Sequence, residues 1–162
     1  EKDFSNTNMA HIIKPAVANI WDQKAYNVDG GSATSGSWFT RTLNTLAGES
    51  WFVTLGASNT FTLESGTYEL HSSVPNYDVS YCTHRLYDVT NSSVIKYSGV
   101  NYVGTGTQAP SLLNHTFTIG ASTEYKIENR VGSTNAYGCG IRQISDSTAV
   151  SIYTQVKIRK LK

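Results

Sequence analysis

The chain has 162 residues, 13 basic and 12 acidic, for a formal net charge of +1. That length suits one domain whose single core buries about 70% of the unfolded surface, and the near-neutral balance excludes the basic excess of a nucleic-acid binder. No apolar run reaches the ~18 residues of a membrane-spanning helix, so no membrane insertion is expected. Nineteen serines, 19 threonines, 12 asparagines, 13 glycines and 10 tyrosines fill nearly half of the sequence. Thr and Tyr fit a pleated strand, while Ser, Asn and Gly favour turns, which makes the expected class all-β.

The chain opens at Glu1 rather than Met, which reads as a piece cut from a longer protein. Residues 1–16 are polar up to Pro15 and read as a linker or stalk end, with residues 17–162 as a single domain. In chain order, strands are predicted at Ala16 to Gln23, then, after Gly30-Gly31, at Ser37 to Leu43 and Trp51 to Leu55, with Phe61 and Leu63 alternating up to Ser65-Gly66. Next, Tyr68, Leu70, Ser72 and Val74 share one face, with Glu69, His71 and Ser73 on the other, and Pro75 is expected to stop the strand. Tyr81 to Val89 and Val94 to Tyr97 form a hairpin through the polar loop Thr90 to Ser93. A glycine-rich loop spans Gly99 to Pro110. Strands then follow at Leu112 to Ile119, Tyr125 to Val131 and Val150 to Leu161. About ten antiparallel strands with frequent turn signals describe a β-sandwich of jelly-roll type.

Two cysteines, Cys82 and Cys139, are too few for a disulfide scaffold and lack metal or redox spacing. One bridge is open to them, but Cys82 sits in an alternating strand as a small hydrophobe, which favours free thiols. His84 shares its face with Cys82 and Leu86 and is expected to be a hydrogen-bonded core residue. The nucleophile elbow Gly-x-Ser-x-Gly is absent, and Ser35-Gly36-Ser37 has no partner histidine at a diagnostic spacing. His11, His71, His84 and His115 stand singly, so neither metal site nor enzyme nor cofactor is expected. Asn91-Ser92-Ser93 and Asn114-His115-Thr116 are sequons that matter only in a secretory pathway.

The segments Gly66 to Ser73, Arg85 to Thr90, Thr116 to Ile119 before Tyr125-Lys126-Ile127, and Ile152 to Ile158 together resemble the tumour necrosis factor-like jelly roll, which also forms the globular heads of complement-type proteins. Ser35 to Trp38 through Arg41 to Asn44, with Arg85 to Thr90, are similar to C-terminal domains of bacteriophage tail-fibre and other virion-surface proteins. Residues 1–16 hold no collagen repeat, and no acidic cluster resembles a calcium site.

The resemblance implies a homotrimer, with Glu69, His71, Tyr153, Gln155 and Lys157 at the subunit interface and Glu69 paired with His71, Lys157 or both. It also implies a receptor-binding tip on a virion, adhering to a host cell-surface glycan or protein. Two other readings stay open: a structural trimeric virion protein without its own ligand, and a cellular cytokine-like or carbohydrate-binding module. A tip held through its N-terminus should recognise its partner at the far end. Loops rich in tyrosine, amide and charge make Tyr77, Asp78, Tyr102, Gln108, Tyr137 and Arg142 the candidate ligand-binding residues, with Asn135-Ala136 beside them.

Overall fold

The computed structural model describes residues 15–142 and 144–162. The expected linker lies, up to residue 14, outside the described residues, as does His11, and Ala16 already belongs to the first strand. Among the described residues there are twelve strands and no helix: β1 Ala16–Lys24, β2 Phe39–Thr40, β3 Thr45–Gly48, β4 Val53–Leu55, β5 Thr60–Leu63, β6 Gly66–Tyr77, β7 Ser80–Asp88, β8 Ser93–Tyr97, β9 Asn101–Val103, β10 Gln108–Ile119, β11 Thr123–Val131 and β12 Ser151–Lys160. They form a five-stranded sheet, β10-β6-β12-β1-β3, and a seven-stranded sheet, β4-β5-β11-β7-β8 with β2 on β11 and β9 on β7. Every pairing is antiparallel. The all-β jelly-roll sandwich expected from composition is the architecture observed.

Three local expectations are corrected. The predicted strand Ser37 to Leu43 is two residues of β2, after which the chain crosses to β3 in the other sheet. The Gly99 to Pro110 loop contains β9 and the start of β10. Pro75 does not end its strand: β6 continues to Tyr77, with Pro75 opposite Pro110. Pairing with β12 stops at Ser73, so beyond it β6 has a neighbour on one side only, and a proline there removes no ladder hydrogen bond.

Alternation sets the core. Tyr68, Leu70, Ser72, Val74 and Asn76 of β6 point inward, as do Cys82, His84, Leu86 and Asp88 of β7. The larger apolar cluster holds Ile20, Phe52, Phe61, Leu63, Leu70, Leu86, Ile127 and Ile158, and a smaller one gathers Ala33, Val79, Cys82, Val103, Val131 and Cys139. Both cysteines are free and buried, and burial pushes the Cys82 thiol up to about 11.

A polar layer spans the gap between the sheets. The ring of His84, fully buried, meets Ser72 Oγ at 2.8 Å through Nε2 and Ser111 Oγ at 2.6 Å through Nδ1. Asn129 Nδ2 donates to Asn76 Oδ1 at 2.6 Å. The buried Arg41 guanidinium donates from Nε to Thr154 Oγ1 at 2.9 Å and from Nη2 to the Cys139 carbonyl at 2.7 Å. Burial, with Arg41 adding to it, pushes His84 down to about 3, so the ring is neutral between two hydroxyls that can rotate to donate or accept.

The last strand departs from strict alternation. Trp21 pairs with Gln155 but Gln23 pairs with Ile152, so two residues of β12, Tyr153 and Thr154, oppose the single Asp22. This bulge flips the parity. Thr154, Val156 and Ile158 face inward as the pattern requires, but Ile152 is turned outward and Tyr153 is only 2% exposed. The Tyr153 ring lies against Gly30 and Gly140, where an added Cβ would stand 2.9 and 2.5 Å from its Cδ1. Its hydroxyl donates to the Val28 carbonyl at 2.6 Å. Tyr153 is therefore an interior residue of the monomer, correcting its expected place at a subunit interface.

Tyr153→Phe should cost about 1 kcal/mol in denaturant unfolding at fixed protein concentration, the worth of one hydrogen bond, with the oligomeric mass unchanged. A changed mass would return Tyr153 to the interface. His84 makes stability depend on pH. Its folded pKa lies below the unfolded value of about 6.5, so the unfolded chain binds the extra proton, and this contribution is present above pH ~6.5 and lost as pH falls toward 3, at up to about 1.4 kcal/mol per pH unit. His84→Gln should lower stability at neutral pH yet flatten this acid slope. Parallel wild-type and variant curves between pH 6.5 and 4 would contradict the assignment.

Candidate functional site

The ladders fix the two ends of the sandwich. Ala16 pairs with Lys160, Lys160 with Tyr68, and Gly66 with Ile119, so these residues share the proximal end, where the chain enters. Lys24 pairs with Ser151 and Tyr77 with Gln108, which places them at the distal end.

Five of the six expected ligand-binding residues gather at that distal end. Tyr77 and Gln108 stand opposite each other on the outward face of the five-stranded sheet. Gln108 Oε1 accepts from the Ile141 amide at 2.7 Å, and the Tyr77 amide donates to the Gly138 carbonyl at 3.1 Å, which ties the 132–142 loop to this pair. Asp78, in the left-handed region at φ 47°, donates its amide to the Thr107 carbonyl and accepts at its own carbonyl from Asn135 Nδ2. Tyr137 donates its amide to Asn135 Oδ1 at 2.8 Å and leaves its ring exposed. Arg142 is held by Asp29 through its amide at 2.9 Å and Nη1 at 3.0 Å.

Tyr102 is separated from these five. Its cross-strand partner is Tyr81 on the outward face of the seven-stranded sheet, the opposite side of the sandwich from Tyr77. Within the segment Gly99 to Pro110, expected as one loop, β9 turns Tyr102 onto a sheet face.

Glu69, His71, Gln155 and Lys157, expected at a subunit interface, do share one surface, the outward face of the five-stranded sheet. Glu69 bridges His71 Nε2 at 3.3 Å and Arg159 Nη1 at 2.7 Å. Against the desolvation that would raise it, those two partners hold the Glu69 carboxyl below its usual range. His71 Nδ1 meets Asn114 Oδ1 at 2.7 Å. Arg159, not Lys157, is the cation that pairs with Glu69. A hollow of about 330 Å³ lies among Trp21, His71, Ser73, Leu112, Gln155 and Lys157, with Leu112 62% exposed at its rim.

The outward face of the seven-stranded sheet carries groups that sequence reading did not select. Arg85 lies 4.2 Å from the Trp38 ring centroid and 4.9 Å from that of Tyr87, and both it and Lys126 pair with Glu128, at 2.6 and 2.8 Å. The signal was present in the alternation Tyr81, Thr83, Arg85, Tyr87. Among the described residues no three His, Cys, Asp or Glu side chains are grouped to hold a metal ion.

No protein-family description matches this sequence, and no curated protein sequence does. Solved structures do. Murine APRIL at pH 5.0 superposes with a TM-score of 0.62 at 10% identity, over 91% of this chain and all of that one. The Eiger TNF of S. frugiperda gives 0.58 at 8% identity, over 91% of this chain and 93% of its own. The globular domain of the zebrafish complement 1qA protein gives 0.54 at 12% identity, over 92% and 98%. The chain thus has a jelly roll similar to those of tumour necrosis factor-type proteins and the complement head.

Proposed function

We propose that this chain is the homotrimeric recognition head of a virion fibre, adhering to a glycan or protein on the host cell surface. The observation that carries the reading is the polarity of the sandwich. The chain enters at one end, while Tyr77, Asp78, Gln108, Tyr137 and Arg142, which mix aromatic, amide and charged groups, collect at the other. A tip held by its stalk meets a surface with that far end.

The outward face of the five-stranded sheet supports threefold closure. It combines an exposed Leu112 and a half-buried Trp21 with Gln155, Lys157 and the Glu69–His71–Arg159 network, the mixture of apolar centre and polar rim that subunit interfaces use. Tyr77 and Gln108 lie at the distal margin of that same face. Cyclic symmetry would set three copies of them around the tip, and threefold display multiplies weak contacts into avidity.

Light scattering at micromolar concentration should give three times the 17.7 kDa chain mass, and Leu112→Arg, which drives a charge into the apolar centre, should give the monomer. A monomeric wild-type chain would refute the trimer. Labelled protein should bind intact bacterial cells and compete with infection. Tyr77→Ala with Tyr137→Ala should reduce cell binding at least tenfold while leaving mass and melting temperature unchanged. Undiminished binding would remove the distal surface, and absence of binding to any host would hand the domain to the structural, ligand-free role.

A further inference from the structure

Exposed aromatic rings cost solvation unless something covers them, and the chain carries a concentration of them where no function has been placed. On the outward face of the seven-stranded sheet, Tyr81 is 63% and Tyr102 60% exposed. Their ring centroids are 5.2 Å apart with planes inclined at 68°. Val100, also exposed, stands beside them, and a hollow of about 250 Å³ opens among Tyr81, Thr83, Val100, Arg130 and Gly132. Gly132 contributes no side chain, which keeps the hollow open next to Tyr81.

The same sheet provides its own comparison. Toward the proximal end, the Trp38 and Tyr87 rings are already covered by the Arg85 guanidinium and the Lys126 ammonium, and those cations share Glu128. That half of the face is satisfied internally. In the distal half, among the described residues, Tyr81 and Tyr102 have only each other, neither hydroxyl is hydrogen-bonded, and Arg130 has no carboxylate partner. Arg130 makes one long contact, Nη2 to the Gly36 carbonyl at 3.5 Å.

Charge decides what could lie there. On this face Arg85 and Lys126 share Glu128, and the other carboxylate of β11, Glu124, which accepts from Thr60 at 2.6 Å, lies six residues along the strand from Arg130, so the charge nearest the hollow is that of Arg130. The field over the hollow is therefore positive. Its volume is below the ~300 Å³ of ligand pockets that enclose a small molecule, which suits one ring of a longer chain laid across the surface. Tilted tyrosines offer faces to the C–H side of a sugar ring and hydroxyls to its rim, and an arginine fork matches a carboxylate bidentately.

We propose that the hollow bounded by Tyr81, Val100 and Arg130, with Tyr102 packed edge-on behind Tyr81, binds one residue of a carboxylated oligosaccharide, with the ring against Tyr81 and the carboxylate on Arg130. This rests on reading the chain as a recognition head, but it uses a different surface from the distal loops, so either can fail alone.

The test measures binding of the intact protein to oligogalacturonate and to sialyllactose, with methyl-esterified oligogalacturonate and lactose as neutral counterparts, by chemical-shift titration. At least one acidic sugar should saturate and bind at least tenfold more tightly than its neutral counterpart, and the preference should shrink with added salt. Arg130→Gln should erase the preference for the acid, and Tyr81→Ala should weaken binding at least tenfold, each without changing the melting temperature. Tyr77→Ala should leave this binding unchanged. Failure of both acidic sugars to saturate, equal affinity for the neutral forms, or loss through Tyr77→Ala but not Tyr81→Ala would overturn the proposal. Cell binding that persists through Tyr81→Ala but is lost with Tyr77→Ala and Tyr137→Ala would leave the distal-tip reading intact while assigning this flank no part in it.

Discussion

The polar layer between the sheets is the constraint on which the arrangement of this sandwich depends. Apolar packing tolerates sliding, because one aliphatic neighbour substitutes for another at small cost, whereas a buried polar group left unpaired costs about 1–3 kcal/mol. Four bonds of the layer join opposite sheets: Ser72 and Ser111 come from the five-stranded sheet to His84 in the seven-stranded one, Asn76 to Asn129, and Thr154 to Arg41 beside β2. The layer lies between the two apolar clusters. A shift of either sheet by one residue would break all of these bonds together, so the layer sets the relative position of the sheets that hydrophobic burial alone leaves loose.

From that registration the division of surfaces follows. Once Ser72 and Asn76 must point inward, Glu69, His71 and Tyr77 must point outward, and the cross-strand ladders bring Asn114, Lys157 and Gln108 beside them. On the other sheet, His84 inward forces Tyr81, Arg85 and Tyr87 outward. The molecule thus has two unlike faces: one mixing an exposed leucine with a carboxylate that bridges a histidine and an arginine, the other a ladder of aromatic rings and cations. The first has the composition of a surface that meets its own kind, and the second that of one left to solvent or to a ligand.

What was legible in the sequence was whatever follows a period of two. Most strand positions, the inward set of β6 and β7, the core role of His84 and the outward Glu69 and His71 came from alternation, and the resemblance set Gln155 and Lys157 beside them. Three things were not legible because they break that period or depend on a partner strand. The bulge opposite Asp22 puts Tyr153 inside, and only the pairing with β1 reveals it. Pro75 continues a strand because the pairing of β6 with β12 has already stopped, a fact about a neighbour nearly eighty residues away. Tyr102 lies apart from Tyr77 because three residues inside a glycine-rich stretch pair with β7. Arg41 gave no signal at all: a lone arginine between two threonines reads as solvated until the fold closes over it.

The same logic explains how the sheet edges stay unpaired. Among the described residues β10 is one edge of the five-stranded sheet, its twelve residues held to β6 with no strand on the outer side, where Asn101 Nδ2 donates to the Pro110 carbonyl at 3.1 Å. An edge of that length is a template for adding strands from other chains. Pro110 has no amide hydrogen to offer there, and it stands against Pro75 on β6, in the stretch that does not pair with β12. The proline pair therefore acts at the distal part of the ladder, where β6 lacks its second neighbour and the sheet is thinnest. With this edge blunted, the proposed trimer would close through the outward face, where side chains rather than backbone amides choose the partner, which is the condition for a closed oligomer instead of an open fibre of strands.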